Sequence, residues 1–430
     1  MVRSITGIVF LFLATAAAGR SVDGPPVPQL PGPGGSTFKR PVVVGWQDGQ
    51  QPIAPPGFQV ELWATDLDSG RWMYTLPNGD VLVSQARTET MGGFEPEVIE
   101  ALTAQGMLGP SADNILLFRP VPGAPPNRHL FADGLQQPFG MVLHDRYLYV
   151  ANTNSVVRYA YERGDLRARG APEKVFDVPA GETANPWNNH WTRNLTTSPD
   201  GSALYLTVGA GTDANADGNE HPERAAIWEL KPDESARRLF ATGLRNPVGL
   251  AFDPRTGDLW TTVNERDGIG ADVPPDYLTR VVDGAFYGWP YVYFGTYPDP
   301  TWSLKDPAAV AAAARRARVP DLALGGHSVP LGLLFYKGGN FPDRYRAGAF
   351  VARRAGVGRA SFIGPDVLFI PFENGSPTGK VAVFLDGFVQ DDSKGTVRGR
   401  AVGLAQMADG SLLVSDDGAN VIWRVSYVGE

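Results

Sequence analysis

The stretch LFATGLRNPVGLAFDPRTGDLWTTVNERD, residues 239–267, contains the pattern that decides the fold. An apolar segment ends at a Gly-Leu pair, a short polar segment follows, and two further strands flank the turn PRTGD. Aspartate and glycine at such a turn favour a tight hairpin between antiparallel strands. The stretch therefore predicts three consecutive strands with a polar insert ahead of the second.

The same pattern recurs five more times. A close copy begins at Leu130 (LFADGLQQPFGMVLHDRYLYVANTN), and another follows VFLDGF near the C-terminus (RGRAVGLAQMADGSLLVSDDGAN). Weaker copies begin at Gly70, His190 and His327. Repeats of roughly 40–50 residues with three or four strands are typical of propeller blades. We predict an all-β fold, a six-bladed β-propeller of four-stranded antiparallel blades; a two-sheet sandwich does not explain the repeated polar insert.

The composition agrees with many short strands. The 430 residues include 51 Gly and 37 Pro, which suit tight turns better than long helices. Only the Ala/Arg-rich segment DPAAVAAAARRARVPD, residues 306–321, predicts a short surface helix. A net charge of −8 disfavours nucleic acid as a partner.

The N-terminus predicts export. Arg3, an apolar run and small residues around Ala16 and Ala18 fit a signal peptide over residues 1–18. Because the apolar run is shorter than the roughly 20 residues of a membrane span, we expect no stable membrane insertion after cleavage. We predict that residues 19–56 form a Pro/Gly-rich leader and that residues 57–430 form the propeller domain, in which any catalytic site is expected. We expect a secreted or periplasmic protein, and the absence of cysteine excludes disulfides and thiolate metal sites.

Polar clusters ahead of the inner strands converge on one mouth of a propeller. They are rich in arginine: Arg71, Arg193, Arg245, Arg398 and Arg400. Guanidinium groups bind carboxylates and phosphates in pairs of hydrogen bonds. The cluster therefore indicates a multiply charged anionic ligand, unless internal acids such as Asp416 and Asp417 pair with it. His190 among these cations is expected to stay neutral and able to accept a proton, although it is equally compatible with a structural hydrogen bond to a carbonyl.

Several ordered motifs resemble one family. They are HWTRNL, GLRNPVGLAFDPRTGDLW, VNERDGIG, PDYLTRVVDGAFYGWPYVYFG, GGHSVPLGLLFY and RAVGLAQMADGSLLVSDDGANVIWRV. Together they resemble the soluble sugar dehydrogenases that depend on pyrroloquinoline quinone (PQQ), above all the sorbosone dehydrogenase-like and aldose sugar dehydrogenase-like branches. The resemblance covers about residues 57–428.

The resemblance implies a mechanism and a set of site residues. PQQ lies over the mouth with Ca²⁺ beside it, an aldose or related sugar aldehyde is oxidised by hydride transfer to PQQ, and an external electron acceptor reoxidises the cofactor. His190 is implied as the general base, and Arg245 as the group that polarises the quinone carbonyl. The implied cofactor-binding residues are Gln137, Arg245, Asn246, Arg353, Arg398 and Arg400. Main-chain carbonyls of Glu265 and Arg266 are the implied calcium ligands, in keeping with the hard oxygen ligands that calcium prefers.

Two departures from the family pattern concern the same mouth. Asn189 stands where many members have an acid directly before the base, so the orientation of His190 is not explained by the motif. The segment RRAGVGR, Arg353–Arg359, replaces an HGSWNR-like motif, which either adds a carboxylate clamp at Arg353 or Arg354 or rebuilds that side of the pocket.

The segment DANADGNE matches the start of a calcium loop. Asp213, Asn215 and Asp217 occupy ligand positions, but Arg224 stands where the final Glu is expected. Either a second calcium site or an acidic turn is compatible with it.

Two other classes of function use the same kind of mouth. One is a calcium-dependent, lactonase-like propeller hydrolase, whose metal is held by carboxylates and asparagines. The other is a binding propeller without catalysis, which fold alone does not distinguish from an enzyme.

Overall fold

The computed structural model describes residues 28–92, 95–104, 106–181 and 188–429. The predicted signal peptide lies outside these residues, and of the predicted leader residues 28–56 are described. Within the described ranges no helix is long and apolar enough to cross a membrane.

The first half of the chain forms two short leading strands and three antiparallel sheets. The leading strands are β1 (Val42–Val43) and β2 (Phe58–Ala64). The first sheet contains β3 (Gly70–Thr75), β4 (Val81–Gln85), β5 (Asn114–Val121) and β6 (Ala124–Ala132), with helix α1 (Pro96–Ala104) between β4 and β5. The second contains β7 (Met141–His144), β8 (Tyr147–Ala151), β9 (Ser155–Ala160) and β10 (Arg169–Asp177). The third contains β11 (Leu195–Thr197), β12 (Leu204–Val208), β13 (Ala226–Leu230) and β14 (Arg237–Thr242).

The second half adds three larger sheets and two small ones. The fourth sheet contains β15 (Asn246–Phe252), β16 (Leu259–Asn264), β17 (Asp276–Arg280) and β20 (Leu322–Gly325). Between β17 and β20 lie the hairpin β18 (Val292–Tyr293) and β19 (Tyr297–Pro298), helix α2 (Pro300–Lys305) and helix α3 (Pro307–Arg316).

The fifth sheet contains β21 (Pro330–Phe335), β22 (Gly348–Arg353), β23 (Asp366–Glu373), β24 (Ser376–Pro377) and β25 (Ala382–Leu385), with a 3-10 helix at Asp343–Tyr345. Strands β26 (Val389–Asp391) and β27 (Thr396–Val397) join β1. The closing sheet contains β28 (Ala401–Gln406), β29 (Leu412–Asp416) and β30 (Val421–Tyr427), with β2 at its outer edge.

Each of the six sequence copies supplies the first two strands of one of these larger sheets. The first strands contact one another in a closed cycle, β3 with β7, β7 with β11, β11 with β15, β15 with β21, β21 with β28 and β28 with β3. The predicted all-β class and its four-stranded antiparallel sheets are confirmed, and the arrangement is consistent with a β-propeller. The fifth sheet departs slightly, since β24 gives it a fifth strand.

Strand β16 shows why the sheets stack against one another. Leu259 and Val263 join a core shared with the third sheet, whereas Trp260 joins a core shared with the fifth sheet. Successive side chains of a strand point to opposite faces. Because β16 has apolar residues on both of its faces, it is buried on both sides, between two neighbouring sheets.

Glycines within the first strands, such as Gly249 of β15 and Gly332 of β21, allow these strands to approach closely. A Cβ atom on Gly249 would lie 2.7 Å from the carbonyl oxygen of Leu331, and one on Gly332 would lie 2.5 Å from that of Val402. Only glycine avoids these overlaps. The axis is then filled by an apolar cluster drawn from every large sheet or its approach: Trp72, Ala86, Phe139, Trp191, Val248, Leu331 and Val402.

The N-terminal strand closes the cycle of sheets. Strand β2 pairs antiparallel with β30, from Phe58 opposite Tyr427 to Ala64 opposite Ile422. Phe58 and Tyr427 pack against the core of the fifth and closing sheets. The chain ends are thereby joined in one sheet, which removes an open edge from the cycle.

The helical prediction is confirmed, because α3 lies within the predicted segment. Pro307 begins α3, and the side chain of Asp306 accepts a hydrogen bond from the Ala309 N–H at the helix start. Helices α1 and α2 were not predicted from the sequence.

Candidate active site

A polar cavity lies at the end of the axis where the first strands begin. It is lined by Trp191 and Leu331 of the axial cluster and by polar side chains that include Arg71, His190, Arg245, Asn246, Glu265, His327 and Arg354. Four of the predicted site residues, His190, Arg245, Asn246 and Glu265, therefore meet in one cavity.

His190 has a fixed ring orientation. Its Nδ1 atom lies 2.7 Å from the carbonyl oxygen of Ala210, which lies two residues beyond the end of β12. Since a carbonyl oxygen only accepts, Nδ1 carries the ring proton and Nε2 is the acceptor of the neutral ring. Burial holds the pKa of His190 well below its ordinary value of 6.5, and the nearby Arg245 guanidinium lowers this pKa further.

The backbone around His190 is held by two buried arginines. Arg193 donates from Nη1 to the carbonyl oxygen of His190 at 2.6 Å. Arg224 donates from Nη2 to the carbonyl oxygen of Ala210 at 3.1 Å. Arg193, which the sequence placed on the rim, therefore supports the main chain of the site.

Asn189 does not orient the histidine. Its side-chain oxygen accepts from the Gly92 N–H at 2.8 Å, and its amide nitrogen donates to the Gly92 carbonyl at 3.1 Å. These two hydrogen bonds join the segment before β11 to the loop after β4. The position of the His190 ring is thus explained by Ala210 rather than by the residue before it.

His327 is unsuited to accept a proton. Its Nδ1 lies 2.7 Å from Asp267 Oδ1 and its Nε2 lies 2.9 Å from the Gly270 carbonyl oxygen. Burial opposes the charged ring, but the hydrogen bond to Asp267 raises the pKa of His327 above 6.5. Both ring nitrogens act as donors, so His190 is the better base of the two.

Three arginines surround one aspartate on the other side of the cavity. Asp417 accepts from Arg71 Nη1 at 2.8 Å and from Arg354 Nε at 2.9 Å, and Arg400 Nε lies 3.3 Å away. Burial opposes ionisation, yet these cations lower the pKa of Asp417 to about 2. Arg71 Nε and Arg400 Nη1 are buried without a hydrogen-bond partner among the described residues. The cluster therefore carries an excess of positive charge and unused donors.

Arg245 connects the third and fourth sheets. It donates from Nη1 to the carbonyl oxygens of Asn264 and Glu265, at 3.0 and 2.7 Å, and from Nη2 to Asp213 Oδ1 at 2.6 Å. The side chains of Asn246 and Asn264 line the cavity beside it, and each has a buried polar atom without a partner among the described residues. These amides are available to a polar ligand.

Two buried carboxyl groups, those of Glu265 and Asp276, also line the cavity. Burial raises the pKa of Glu265 to about 8 and that of Asp276 to about 6. Asp276 also accepts hydrogen bonds from the N–H groups of Glu265 and Val329, at 2.7 and 2.8 Å. Glu265 is consequently protonated at neutral pH.

The remaining predicted site residues do not line the cavity. Gln137 donates to the Arg87 carbonyl, and Arg398 donates to the carbonyls of Gly387 and Val389. Arg353 is paired with Asp366, and Arg266 with Asp299 at 2.7 Å. Arg400 lies behind Asp417. Their roles remain predictions.

The acidic segment after β12 is closed by its own hydrogen bonds. Glu220 accepts from the Gly211 N–H, Asn215 Oδ1 accepts from the Glu220 N–H, and Asp217 accepts from the Asn219 N–H. Asp213 is bound to Arg245. Within the described parts of the chain no group of three or more acidic or histidine side chains is arranged to hold a metal.

Several site residues were not singled out from the sequence. Asp267, Asp276, Asn264 and Pro41 line the cavity. Arg224, which the sequence marked only as a departure from a calcium loop, supports the site through the Ala210 carbonyl. Asp267 and Asn264 flank Glu265 in the motif VNERD, so the motif itself was their only signal. Pro41 comes from the leader and had none.

Comparison with known proteins gives the family. Residues 146–355 match the family model described as glucose/sorbosone dehydrogenase. This part of the chain belongs to the glucose/sorbosone dehydrogenase family. The matched range runs from the second to the fifth sheet and includes His190, Arg245 and Arg354, so the family resemblance drawn from the sequence is confirmed.

Relatives of this glucose/sorbosone dehydrogenase region extend the likeness to most of the chain. An uncharacterized protein of Borreliella burgdorferi is 26% identical over 311 residues, which cover 70% of this chain and 79% of that protein. The holo form of the PQQ domain of a Coprinopsis cinerea pyranose dehydrogenase has a TM-score of 0.68 at 18% identity, covering 90% of this chain and 100% of that one. A calcium structure of a Trichoderma reesei carbohydrate-active enzyme has the same TM-score and identity, covering 87% and 97%. At such identities the two structures show a shared fold.

Proposed function

We propose that the protein is a PQQ-dependent dehydrogenase that oxidises an aldose sugar or a related sugar aldehyde. The observation that carries the proposal is the Asp417 cluster, in which one carboxylate is surrounded by Arg71, Arg354 and Arg400. Arg71 and Arg354 line the same cavity as the neutral His190. Buried cations without compensation are costly, and a ligand with several carboxylates relieves that cost. PQQ has three carboxylates and fits this requirement.

The fit rests on unused donors. Arg71 Nε and Arg400 Nη1 have no partner among the described residues, and Arg354 and Arg71 line the cavity itself. We propose that Arg354 and Arg71 bind cofactor carboxylates from the cavity side and that Arg400 supports them from behind. The unpartnered Asn246 Oδ1 and the Asn264 amide are proposed to contact the polar ring system.

The proposed reaction divides the work between the cofactor and the chain. PQQ, when bound, supplies the acceptor for the hydride that leaves the sugar carbon. The reacting carbon is that of the cyclic hemiacetal of the aldose or of the hydrated aldehyde, which has both a hydrogen and a hydroxyl group. His190 Nε2 takes the proton of this hydroxyl, so a hydride and a proton leave the substrate and a carbonyl bond forms. The Nδ1–H bond to Ala210 keeps Nε2 directed to act as the acceptor throughout. Arg245, held to Asn264 and Glu265, contributes positive potential that keeps His190 neutral before the reaction.

We propose that calcium, if bound, is held at the main-chain carbonyls of Glu265 and Arg266. The Glu265 carbonyl oxygen, one of the two predicted ligands, accepts from Arg245 Nη1 at 2.7 Å, and the Arg266 side chain is paired with Asp299. A calcium ion at this carbonyl would lie beside a guanidinium cation. We therefore expect Arg245 to shift when the ion binds.

Two wider features belong to the same proposal. We propose that the six large sheets are the blades of a six-bladed propeller, supported by the closed cycle of first strands. We also propose that the protein is exported, supported by the sequence of residues 1–18, and that an external acceptor reoxidises the cofactor. N-terminal sequencing of the protein recovered outside the cytoplasm tests the export.

One experiment tests the function. The apo-protein is titrated with PQQ, with Ca²⁺ or with a chelator, and binding is followed by quenching of tryptophan fluorescence; dye reduction is then measured with a panel of sugars and aldehydes. We expect saturable PQQ binding and sugar-dependent dye reduction. Failure of both overturns the proposal. Hydrolysis of lactones with calcium alone would favour a lactonase-like hydrolase, and ligand binding without turnover would favour a binding propeller.

A further inference from the structure

The leader residues 28–46, called the strap here, run over the rim of the cavity. The strap bonds through its backbone to the fourth sheet, to the fifth sheet and to the turn between β26 and β27. The Gly34 N–H donates to the Ile269 carbonyl at 2.8 Å, the Lys39 N–H to that of Val357 at 3.0 Å and the Val42 N–H to that of Gly395 at 2.9 Å. At its start, the Leu30 N–H donates to the Tyr297 hydroxyl at 2.9 Å. Its path is thus fixed from the fourth sheet to the small sheet of β1, β26 and β27.

One residue of the strap enters the cavity wall. Residues 31–38 are exposed, whereas Pro41 is buried and lines the cavity. Val357, to which the strap is bonded, lines the cavity as well. The strap therefore forms part of the wall itself, in contact with other lining residues.

A second insertion completes the wall on another side. Met107, just after helix α1, also lines the cavity. Arg40 of the strap reaches the Val98 carbonyl of α1, with Nη1 at 3.4 Å. The strap and the α1 segment thus come together at the rim, where a longer substrate would have to pass.

We propose that the strap is a size-selecting wall that admits a single sugar or small aldehyde and excludes the chain ends of oligosaccharides. The choice of sugars as ligands rests on the proposed function, whereas the wall itself does not. The Lys39 side chain anchors the part of the strap beside Val357: Lys39 Nζ lies 2.9 Å from Asp392 Oδ1 and 2.7 Å from the Ala360 carbonyl oxygen. Reversal of this charge replaces an attraction by a repulsion, so we expect it to loosen this part of the strap.

Access to the cavity can be measured without any turnover. The chain has no cysteine, so Thr192→Cys, in the cavity lining, provides a single reporter thiol. Its reaction rates with a small and a bulky maleimide are compared in the parent strap and with Lys39→Glu, which places a carboxylate against Asp392. Pro41→Ala shortens the wall without changing an anchor. Ala312→Cys on the exposed face of α3 reports on reagent reactivity alone.

We expect the bulky reagent to react about fivefold faster or more with Lys39→Glu, and faster with Pro41→Ala, while the small reagent changes little. Lys39→Arg, which keeps the charge, and Lys174→Glu, which reverses a similar lysine–aspartate pair on β10, should leave both rates unchanged. The proposal is overturned if the bulky and the small maleimide react equally fast when the strap is unchanged. It is also overturned if neither Lys39→Glu nor Pro41→Ala changes the rate of the bulky reagent.

The sugar selectivity is measured on the full-length protein with the native Thr192. The ratio of kcat/KM for a monosaccharide to that for its trisaccharide should fall with Lys39→Glu and with Pro41→Ala. An unchanged ratio refutes size selection even if the thiol rates respond. If no sugar is oxidised by any variant, the proposed function fails, and the thiol rates still decide whether the strap is a wall.

Discussion

His190 Nδ1 lies 2.7 Å from the Ala210 carbonyl oxygen, and this contact determines which nitrogen of the ring can act as a base. The carbonyl lies at the end of the strand neighbouring the His190 segment, so the third sheet itself sets the tautomer. Arg224, which donates to the same carbonyl, holds that oxygen in place. The proton acceptor is consequently Nε2, in a ring kept neutral by burial and by Arg245.

Replacement of His190, the proposed base, is expected to remove turnover. For His190→Gln we expect kcat to fall by roughly 10²- to 10⁴-fold, because proton abstraction loses its acceptor. PQQ affinity should change little, since the arginine cluster is untouched. Dye reduction and PQQ titration measure the two effects separately, with His129→Ala on β6 as the control. Substantial residual turnover would rule out His190 as the base.

The pH at which kcat/KM falls on the acidic side (the acid limb) should depend on residue 189. In the parent protein the lowered pKa of His190 places loss of kcat/KM below pH 6.5, because the ring must be neutral to act. Asn189→Asp adds a negative charge beside His190, which favours the imidazolium and raises its pKa. The acid limb therefore moves to higher pH, and kcat/KM near pH 6 declines. The pH profile, compared with that of Asn127→Asp on β6, gives the result.

The same substitution also costs stability. Asn189→Asp loses the donor to the Gly92 carbonyl, so we expect unfolding to become easier by about 1–3 kcal/mol at pH 7. A profile that does not move while the variant remains folded would show that residue 189 does not influence the base.

Arg353 and Arg354 are expected to differ in PQQ binding despite being adjacent. Arg354 lines the cavity and contacts Asp417, so Arg354→Ala should weaken PQQ binding by about tenfold or more. Arg353 is paired with Asp366 on β23 instead, so Arg353→Ala should leave the affinity nearly unchanged. Fluorescence titration of both folded variants tests this. If Arg353→Ala weakened PQQ binding more than Arg354→Ala, the cofactor would instead contact Arg353.

Glu265 should make the apo-protein less stable as pH rises. Its pKa is about 8 in the folded chain and ordinarily 4.5, so between these values the folded state holds a proton that the unfolded state has lost. The free energy of unfolding therefore declines as pH increases through this window. Glu265→Gln lacks this penalty and should gain roughly 5 kcal/mol over the parent at pH 9, with little gain at pH 4.5.

Thermal unfolding of the apo-protein at the two pH values measures this effect. Glu162→Gln, at an exposed position, provides the matched control. A gain that is the same at both pH values would mean that Glu265 does not titrate in this range.

The repeat pattern predicted much of the fold because the copies carry their own turns, and several of them carry a glycine where neighbouring first strands pack closely. The turn before Leu259 and the approach of Gly249 to Leu331 both depend on residues within one or two copies. The pairing of β2 with β30 joins segments from opposite ends of the chain, and nothing within either segment indicates its partner. Helix α1 lies in an insertion without a counterpart in the other copies.

The sequence by itself determined the strand-rich repeat, the family and the presence of His190, Arg245 and Asn246 on inserts that converge, because these follow from short-range periodicity and motifs. Tertiary structure alone decided which side chains reach the cavity. Arg353 ends β22 and pairs across to β23, whereas Arg354 lies one residue beyond and turns to Asp417, since adjacent residues of an extended chain point in opposite directions. Pro41 reaches the wall only because the leader is bonded across three sheets, a contact between segments hundreds of residues apart.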